Sequence, residues 1–402
     1  MIIYTRSYYL TKASYYIFKV FILFLLQLYC CFFCKSLVFA QTPNHQDEFE
    51  NLGLVYKDDK NPTLQEFWLL GRYHGQYHWS EGSAAEDDGY ETRRNRIGFQ
   101  AKLYNDFTVH AQMVSGSDLS PYYDGFTELW GQYSFSPEIA LTIGQQKNRF
   151  THDRNVSSRY LNYLERAMVT NMFAVDYTPA VTLQGKVDNL SYYTGLFSNA
   201  TSSEMEDSLL NYDSGYSYIG AAYYDLKDSF NTSSAFLYGS YIHSDANQNA
   251  TNMNRFEDGL SAALILTNGS ASLVTEITTG LSQENGNATG LNLQPGYFLT
   301  DEIQIVGRYQ IAVSNLEQGL LPQRRYEREA GLTPGDVYHA GYAGLAYHFA
   351  EHRLKFLNGI EYATINGQDV WTASSMIRFY FGPHSGGAFP MNQMLPGLFE
   401  HD

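Results

Sequence analysis

The stretch Leu64–Ser80 reads LQEFWLLGRYHGQYHWS, and the character of its side chains alternates along the chain. One set of positions carries apolar residues, which are Phe67, Leu69, Tyr73, Tyr77 and Trp79. The other set is polar and consists of Glu66, Arg72, His74, Gln76 and His78. Successive side chains of a β-strand point to opposite faces. Alternation over about ten residues is typical of a strand that crosses a membrane within a barrel, apolar side outward.

The same alternation recurs along the chain and predicts about 16 strands, the last ending at Phe381. Seven connections are predicted to be tight: Asn105-Asp106, Ser136-Pro137, Asp188-Asn189, Lys227-Asp228, Asn268-Gly269, Thr300-Asp301 and Ala350-Glu351. They alternate with longer polar loops, the first of which is the acidic Glu81–Gly89. An open sheet edge in lipid would leave unpaired backbone groups that cost several kcal/mol each, so the strands must close. We therefore predict an all-β fold, a 16-stranded antiparallel transmembrane β-barrel.

A soluble β-sandwich is the competing fold. A sandwich would not need lipid-side rows on so many strands, such as Ile303, Ile305, Tyr309, Ile311 and Val313. The composition also favours a barrel, because Tyr (34), Phe (25) and Gly (33) are abundant and suit aromatic girdles and tight turns.

The stretch Lys147–Tyr177 does not alternate, although predicted strands flank it. Connections of roughly 30 residues inside a compact fold are uncommon and are usually functional or disordered. A short helix is predicted within this stretch, because residues recur at helical spacing at Tyr160, Tyr163, Leu164, Ala167 and Met168. We expect this third long loop to fold into the bore and to set what passes.

The N-terminal 40 residues differ from the rest. Basic residues precede the apolar run Val20–Phe33, which is typical of a secretory signal peptide; an N-terminal membrane anchor is the alternative. All three cysteines lie here, so no disulfide is expected in the remaining chain. That chain keeps 22 Lys and Arg against 42 Asp and Glu, a net charge of about −20, which argues against nucleic-acid binding. The expected organisation is a signal peptide (1–40), a periplasmic lead-in (41–63), the barrel (64–381) and a C-terminal tail (382–402).

Several short motifs resemble the phosphate-selective porin O and P family. They are RRNRIG at Arg93–Gly98, TIGQQK at Thr142–Lys147, SSRY at Ser157–Tyr160, LER at Leu164–Arg166, GRY at Gly307–Tyr309, GLAY at Gly344–Tyr347 and HRLK at His352–Lys355. The resemblance implies a trimeric outer-membrane channel in which basic lumen residues and the third loop draw anions through a constriction. This sequence departs from the family at Lys147–Phe150, where an acidic residue and a proline are more usual, and in having a tail after Phe381.

Candidate residues for ion selection are basic. Two neighbouring strands are expected to carry Arg72, Arg93, Arg94, Arg96 and Lys102, and the third loop to carry Lys147, Arg149, Arg154 and Arg159. Fixed charges select ions at close range, and guanidinium groups offer a fork to oxyanions. The alternative is structural: Arg94 and Arg96 would pair with Glu128, Glu165 or Asp153 and pin the loop to the wall. Glu165 and Arg166 are the predicted loop-anchoring pair, and Arg308 and Arg378 are interpreted as ordinary wall charges.

No cofactor or metal is expected. His74 and His78 are four residues apart on a strand, about 13 Å, which is too far for one ion. The acids of predicted outer loops, such as Asp87, need not cancel the Arg row, because screening acts within about 8 Å at physiological salt. Expected partners are outer-membrane lipid and lipopolysaccharide, two further copies in a homotrimer, and small anions or other small polar solutes.

Three functions remain open at this point. The first is a passive porin for small anions, with phosphate as one possible solute. The second is a general or sugar-type diffusion pore that uses inward aromatic residues as a stacking surface, namely Tyr193, Tyr223, Tyr338, Tyr342 and Trp130. The third is an outer-membrane hydrolase or a purely structural barrel. A hydrolase is disfavoured because no nucleophile motif occurs in the sequence.

Overall fold

The computed structural model describes residues 51–116, 119–173, 176–200, 214–246, 255–350 and 353–383. In these ranges the chain forms 17 antiparallel strands. They are β1 (Leu54–Lys57), β2 (Leu64–Gly82), β3 (Glu86–Leu103), β4 (Phe107–Val114), β5 (Phe126–Ser136), β6 (Ile139–Lys147), β7 (Tyr177–Val187), β8 (Leu190–Ser198), β9 (Gly215–Asp225), β10 (Ser234–Ala246), β11 (Asp258–Asn268), β12 (Ala271–Leu281), β13 (Ala288–Phe298), β14 (Ile303–Ser314), β15 (Val337–Ala350), β16 (Leu354–Ile365) and β17 (Gln368–Phe381).

Strands β2 to β17 form the closed barrel. Each pairs with its neighbours in sequence, and β17 pairs with β2 from Val370↔Gly82 to Phe381↔Gly71, which removes the open edge. The predicted 16-stranded antiparallel barrel is confirmed. The additional strand β1 lies in the expected lead-in and pairs with the first residues of β2. The predicted signal peptide and the tail after Pro383 lie outside the described residues.

Strand β14 shows why the alternation predicts the fold. The side chains of Ile305, Tyr309 and Val313 are 45%, 45% and 46% exposed, and they form the outer face. The intervening side chains, such as Gln304 and Arg308, are buried on the inner face. Period-two alternation therefore places polar groups inside and apolar groups toward lipid.

Two short α-helices, α1 (His152–Asn155) and α2 (Met168–Phe173), lie between β6 and β7. The helix that we predicted around residues 160–168 is therefore wrong in position. The carbonyl oxygens of Leu161, Tyr163 and Leu164 accept hydrogen bonds from the Arg378 side chain, so they are bound to the wall and not to helical N–H groups. Within the described ranges, no helix has both the length and the hydropathy needed to cross a membrane.

The expected loop lengths need three corrections. Residues 81–89 are not a loop, because β2 and β3 continue as a paired ladder and leave only residues 83–85 between them. Residues 366–367 are likewise a tight turn where a longer loop was expected. The predicted turn Lys227-Asp228 is instead the longer connection 226–233, which contains a 3₁₀ helix. The two ends of the barrel are named here after their connections: the short-turn end carries 104–106 and 188–189, and the long-loop end carries 148–176 and 315–336.

Part of the apolar core combines residues of the connection 148–176 with residues of the strands. Phe150, Val169 and Phe173 are 0–2% exposed and belong to one cluster with inner residues such as Ile242 and Tyr238. A Cβ placed on Gly290 would lie 2.7 Å from Val169, so the glycine allows close approach of the connection to β13. The same cluster includes Leu332 of the connection 315–336.

Candidate functional site

The long loop, defined as residues 148–176, is hydrogen-bonded to strands from different parts of the barrel circumference. The amide of His152 donates to Glu276 of β12 at 2.5 Å, and the Tyr163 hydroxyl donates to the Gly307 carbonyl of β14 at 2.9 Å. The Arg72 side chain on β2 donates to the Ser158 hydroxyl at 2.5 Å. The long loop is therefore fastened at several points and not at its ends alone.

Arg378 of β17 makes three of these attachments. Its guanidinium donates to the carbonyl oxygens of Leu161 (2.6 Å), Tyr163 (2.6 Å) and Leu164 (3.0 Å). Lys355 on the neighbouring strand also donates to the Leu161 carbonyl, at 2.7 Å. The interpretation of Arg378 as an ordinary wall charge missed this role, because nothing local in the sequence links β17 to a loop more than 200 residues earlier.

Glu165 is attached to the wall on both sides. Its carboxylate accepts two hydrogen bonds from Arg93, and its carbonyl accepts one from Arg308 at 2.7 Å. A β-bulge gives Arg93 this position, since His74 pairs with Arg94 and Gly75 with Thr92. Burial alone would raise the pKa of the Glu165 carboxyl, but the Arg93 guanidinium holds that pKa well below its ordinary value. Glu165 is therefore ionised in the folded state.

Arg166 binds the long loop to itself. It donates to the carbonyl oxygens of Asp153 and Val156, and its guanidinium lies 4.0 Å from the Asp153 carboxylate. Burial lowers the pKa of Arg166 to about 10 despite that carboxylate. Glu165 and Arg166, which we predicted as one anchoring pair, thus act separately: Glu165 binds the barrel wall and Arg166 braces the fold of the loop.

Three arginines of β2 and β3 form a group named here the basic wall: Arg72, Arg94 and Arg96. Arg72 and Arg96 are directly opposite in the ladder. Arg96 donates to the Tyr177 hydroxyl at 3.0 Å, and Arg94 lies 3.4 Å from the His74 ring. Among the described residues, none of the three has a carboxylate within 4.0 Å, so the ion pairs considered for Arg94 and Arg96 do not form. The basic wall therefore keeps its positive charge without an acidic partner in contact.

The cations of the loop segment have different environments. Arg154 pairs with Asp176, whose pKa is lowered to about 2 by this guanidinium although burial acts in the opposite direction. Arg159 donates to the Pro383 carbonyl at 2.8 Å and lies over the Tyr380 ring. Lys147 donates to the Val156 carbonyl at 3.3 Å.

The remaining candidates lie further apart. Arg149 lies 5.9 Å from the centre of the Tyr193 ring. Lys102 is exposed near the short-turn end, opposite Glu66, and is distant from the rest of the group.

The aromatic residues considered for sugar stacking are buried against other groups. Tyr223 contacts His152 and Asn155 through its hydroxyl, and Tyr342 packs edge-on against Tyr163 at 5.5 Å. Trp130 is stacked on His110 at 4.9 Å. These rings support the long loop and neighbouring side chains rather than presenting open faces.

A second connection, residues 315–336, contributes the carboxyl group of Glu327. This group accepts hydrogen bonds from the Tyr338 hydroxyl and the Gln323 amide, both at 2.6 Å. Burial, and secondarily the Glu361 carboxylate, raise the pKa of Glu327 to about 7. The connection therefore contains a carboxyl group that titrates near neutral pH.

Comparison with known proteins adds a family and a set of related folds. The profile of the phosphate-selective porin O and P family matches residues 67–322. Pseudomonas putida OprB is similar with a TM-score of 0.55 and 12% identity, over 78% of this chain and 94% of that chain. An anion-selective porin from Comamonas acidovorans is similar with a TM-score of 0.55 and 13% identity, over 78% of this chain and 99% of that chain. Salmonella typhi OmpF in complex with daunomycin is similar with a TM-score of 0.56 and 11% identity, over 81% of this chain and 100% of that chain.

At such identities the structural likeness shows the barrel fold alone. No curated protein sequence matches the chain. The family profile, however, covers more than half of the sequence, including the basic-wall strands and the long loop. The chain therefore belongs to the phosphate-selective porin O and P family and is an integral β-barrel of the outer membrane.

Proposed function

We propose that the barrel is a passive diffusion channel for small anions and that the long loop lies across its bore as the constriction. The basic wall carries this proposal. Its arginines are on the inner face of β2 and β3, without carboxylate contacts in the described part of the chain, and next to a loop fastened on several sides.

The position of the long loop is supported by the distribution of its attachments. A loop lying outside the barrel could not reach the buried side chains of Glu276 on β12 and Arg378 on β17 and the backbone carbonyl of Gly307 on β14 at once. An apolar cluster that combines loop residues with inner strand residues supports the same placement. Solutes would then pass between the loop and the part of the wall that it leaves open.

The electrostatics favour anions despite the overall charge of −16. Acids at the barrel rim are screened within about 8 Å at physiological salt, while charges inside a narrow, poorly hydrated bore are screened much less. An anion that loses part of its hydration shell at the constriction would accept hydrogen bonds from the N–H groups of Arg72 or Arg96 in place of those from water. Passage remains passive, because the site offers exchangeable hydrogen bonds and no energy source.

The proposal is tested by ion selectivity in a planar bilayer. Under a KCl gradient, the reversal potential of the wild-type channel should have the sign that indicates a preference for chloride over potassium. The double variant Arg94→Gln/Arg96→Gln is expected to shift that potential toward potassium. The matched control is Lys186→Gln/Lys227→Gln, which removes two exposed cations near the short-turn end and should leave selectivity unchanged. Potassium preference in the wild type would overturn the anion assignment.

Phosphate is proposed as one of the permeant anions on the basis of family membership. Millimolar phosphate should then reduce the chloride current of the wild-type channel, and the reduction should weaken in Arg94→Gln/Arg96→Gln. A chloride current that phosphate leaves unchanged would restrict the function to unspecific anion passage.

The two other functions make different predictions. A sugar-type pore requires open aromatic faces, and the buried contacts of Tyr223, Tyr342 and Trp130 give it little support. Current block by oligosaccharides with no ion preference would favour that function over ours. An enzyme would hydrolyse outer-membrane lipid in detergent, and we propose that the purified protein does not.

Assembly and targeting are also proposals. We expect a homotrimer in contact with lipopolysaccharide, as the family resemblance implies, and removal of residues 1–40 as a signal peptide. Native mass determination in detergent and N-terminal sequencing of the purified protein would check these expectations. A monomeric mass would contradict the proposed trimer but not the proposed channel function.

A further inference from the structure

Three metal-ligand side chains converge at the long-loop end of the barrel, away from the basic wall. They are His78 of β2, Asp87 of β3 and Glu329 of the connection 315–336, and one ligand atom from each lies within 4.8 Å of the other two. His78 Nε2 and Asp87 Oδ2 are 2.7 Å apart. The donor set is one imidazole and two carboxylates from three elements, and the third donor lies more than 240 residues after the first two in sequence.

The continuous ladder of β2 and β3 brings the first two donors together. His78 pairs with Gly89 and Ser80 with Asp87, so both donors lie on the inner face of the ladder. This arrangement depends on the acidic residues 86–88 being strand and not loop. The pair that we considered from the sequence, His74 and His78, is not the one that the structure brings together.

The third donor is held by a tight turn that packs against the same ladder. The ring of Tyr326 lies 5.0 Å from that of His78, and its hydroxyl accepts a hydrogen bond from Gln76 at 2.6 Å. The carbonyl of Ala330 accepts a hydrogen bond from the Ala85 amide at 3.3 Å. The Glu329 carboxylate accepts a hydrogen bond from the Tyr326 backbone amide at 3.5 Å and lies within 4.8 Å of the ligand atoms of His78 and Asp87.

The cluster carries negative charge that neighbouring cations do not neutralise. In the described part of the chain, the ion pair of Asp87 is with His78, and Glu329 has no Lys or Arg within 4.0 Å. Arg325 lies in the same turn as Glu329, but its guanidinium donates to both carboxylate oxygens of Glu91. The imidazole of His78 is more than nine-tenths buried, and its Nδ1 has no hydrogen-bond partner among the described residues.

We propose that His78, Asp87 and Glu329 bind one divalent transition-metal ion, with Zn²⁺ as the best match. An imidazole nitrogen with two carboxylate oxygens suits Zn²⁺ better than Ca²⁺ or Mg²⁺, which take oxygen ligands. Donors about 2.1 Å from a tetrahedral ion are about 3.4 Å apart, so the side chains need only small rotations to close on it. Water completes the coordination. The ion joins the turn 324–331 to the β2–β3 ladder and holds the connection at the rim of the channel.

Binding is tested on the full-length, tag-free protein in detergent, after treatment with a chelator. Titration calorimetry with ZnCl₂ should show one site per chain, and Co²⁺ should give visible absorption bands of a four- or five-coordinate ion. Asp87→Asn and Glu329→Gln should each weaken Zn²⁺ binding about tenfold or more. Asp88→Asn and Glu317→Gln are the matched controls, because both residues are exposed neighbours outside the cluster, and they should bind as the wild type does.

The structural consequence is tested by proteolysis. Arg324 and Arg328 are exposed trypsin sites in the same turn. Zn²⁺ should slow cleavage there in the wild type and in both controls, but not in Glu329→Gln. Folding of each variant is checked by the heat-dependent shift in gel mobility that intact barrels show. Equal Zn²⁺ affinity in all variants, or binding that protects no cleavage site, would overturn the proposal. Ion selectivity is measured separately, so this result does not depend on the channel assignment.

Discussion

Replacing Arg378 by methionine is the most direct way to release the long loop from the barrel wall. The side chain is 1% exposed and donates to the carbonyl oxygens of Leu161, Tyr163 and Leu164. Methionine fills a similar volume but donates no hydrogen bond. Lys355 still reaches the Leu161 carbonyl, so the variant leaves two buried carbonyl groups, those of Tyr163 and Leu164, without these donors.

A buried polar group that loses its partner costs about 1–3 kcal/mol, so two carbonyl groups cost about 2–6 kcal/mol. Water molecules that replace the lost donors reduce this figure, and we take about 3 kcal/mol as the working value. Such a loss raises the population of undocked loop about 100-fold, because each 1.4 kcal/mol is a factor of ten.

The assay compares Arg378→Met with Arg378→Lys. Lysine keeps the positive charge but cannot present the planar guanidinium to three carbonyl groups at once. If Arg378 acts as an anchor, both variants should show faster amide hydrogen exchange over residues 158–168 and noisier single-channel current. If it acts through charge alone, Arg378→Lys should behave as the wild type and Arg378→Met should change ion selectivity only.

Unchanged hydrogen exchange in Arg378→Met would refute the anchoring role. It would mean that Arg93, Arg308 and Lys355 hold the loop without Arg378. The current measurement adds an independent check, since a loop that undocks in a channel must alter conductance or noise.

Two further predictions concern the connection 315–336 and strand β6. The raised pKa of Glu327, about 7 against an ordinary 4.5, means that the protonated carboxyl stabilises the fold: the contribution is full below about pH 4.5 and is lost as the pH rises through about 7. Hydrogen exchange in this connection should therefore accelerate above pH 7 beyond its intrinsic pH dependence, and an identical response in Glu327→Gln would contradict this origin. Gly144 has a φ of +124°, and an added Cβ would lie 2.2 Å from the Leu129 carbonyl oxygen, so Gly144→Ala should reduce the folded fraction on unheated gels. Gly239→Ala, where a Cβ meets nothing within 4 Å, is the control, and equal folding of the two would refute the steric argument.

Much of the barrel could be predicted from the sequence, because strand alternation is a local property. In β14 every side chain that we assigned to the lipid side lies on the outer face, and β2 and β17 begin and end the barrel near the expected residues. The same alternation places Arg72, Arg94 and Arg96 on the inner face. The local prediction failed at residues 81–89, whose acidic side chains are typical of a loop. Pairing between β2 and β3, which are extended further than the sequence indicates, satisfies the backbone groups there.

The partners of the candidate residues could not be predicted in this way. Glu165 meets Arg93 because a one-residue bulge in β3 changes the facing of its side chains, and no sequence signal marks that bulge. Arg378 reaches the long loop only because the sheet closes and brings β17 beside β2.

The sequence by itself thus determined the class of fold, the number of strands and the residues that face the bore. The tertiary structure alone decided which of those residues hold the long loop, which keep a positive charge without an acidic partner, and which three donors meet at the rim. The physical reason is that alternation depends on neighbours two residues apart, whereas an ion pair or a ligand set depends on register and closure between strands that are distant in the chain.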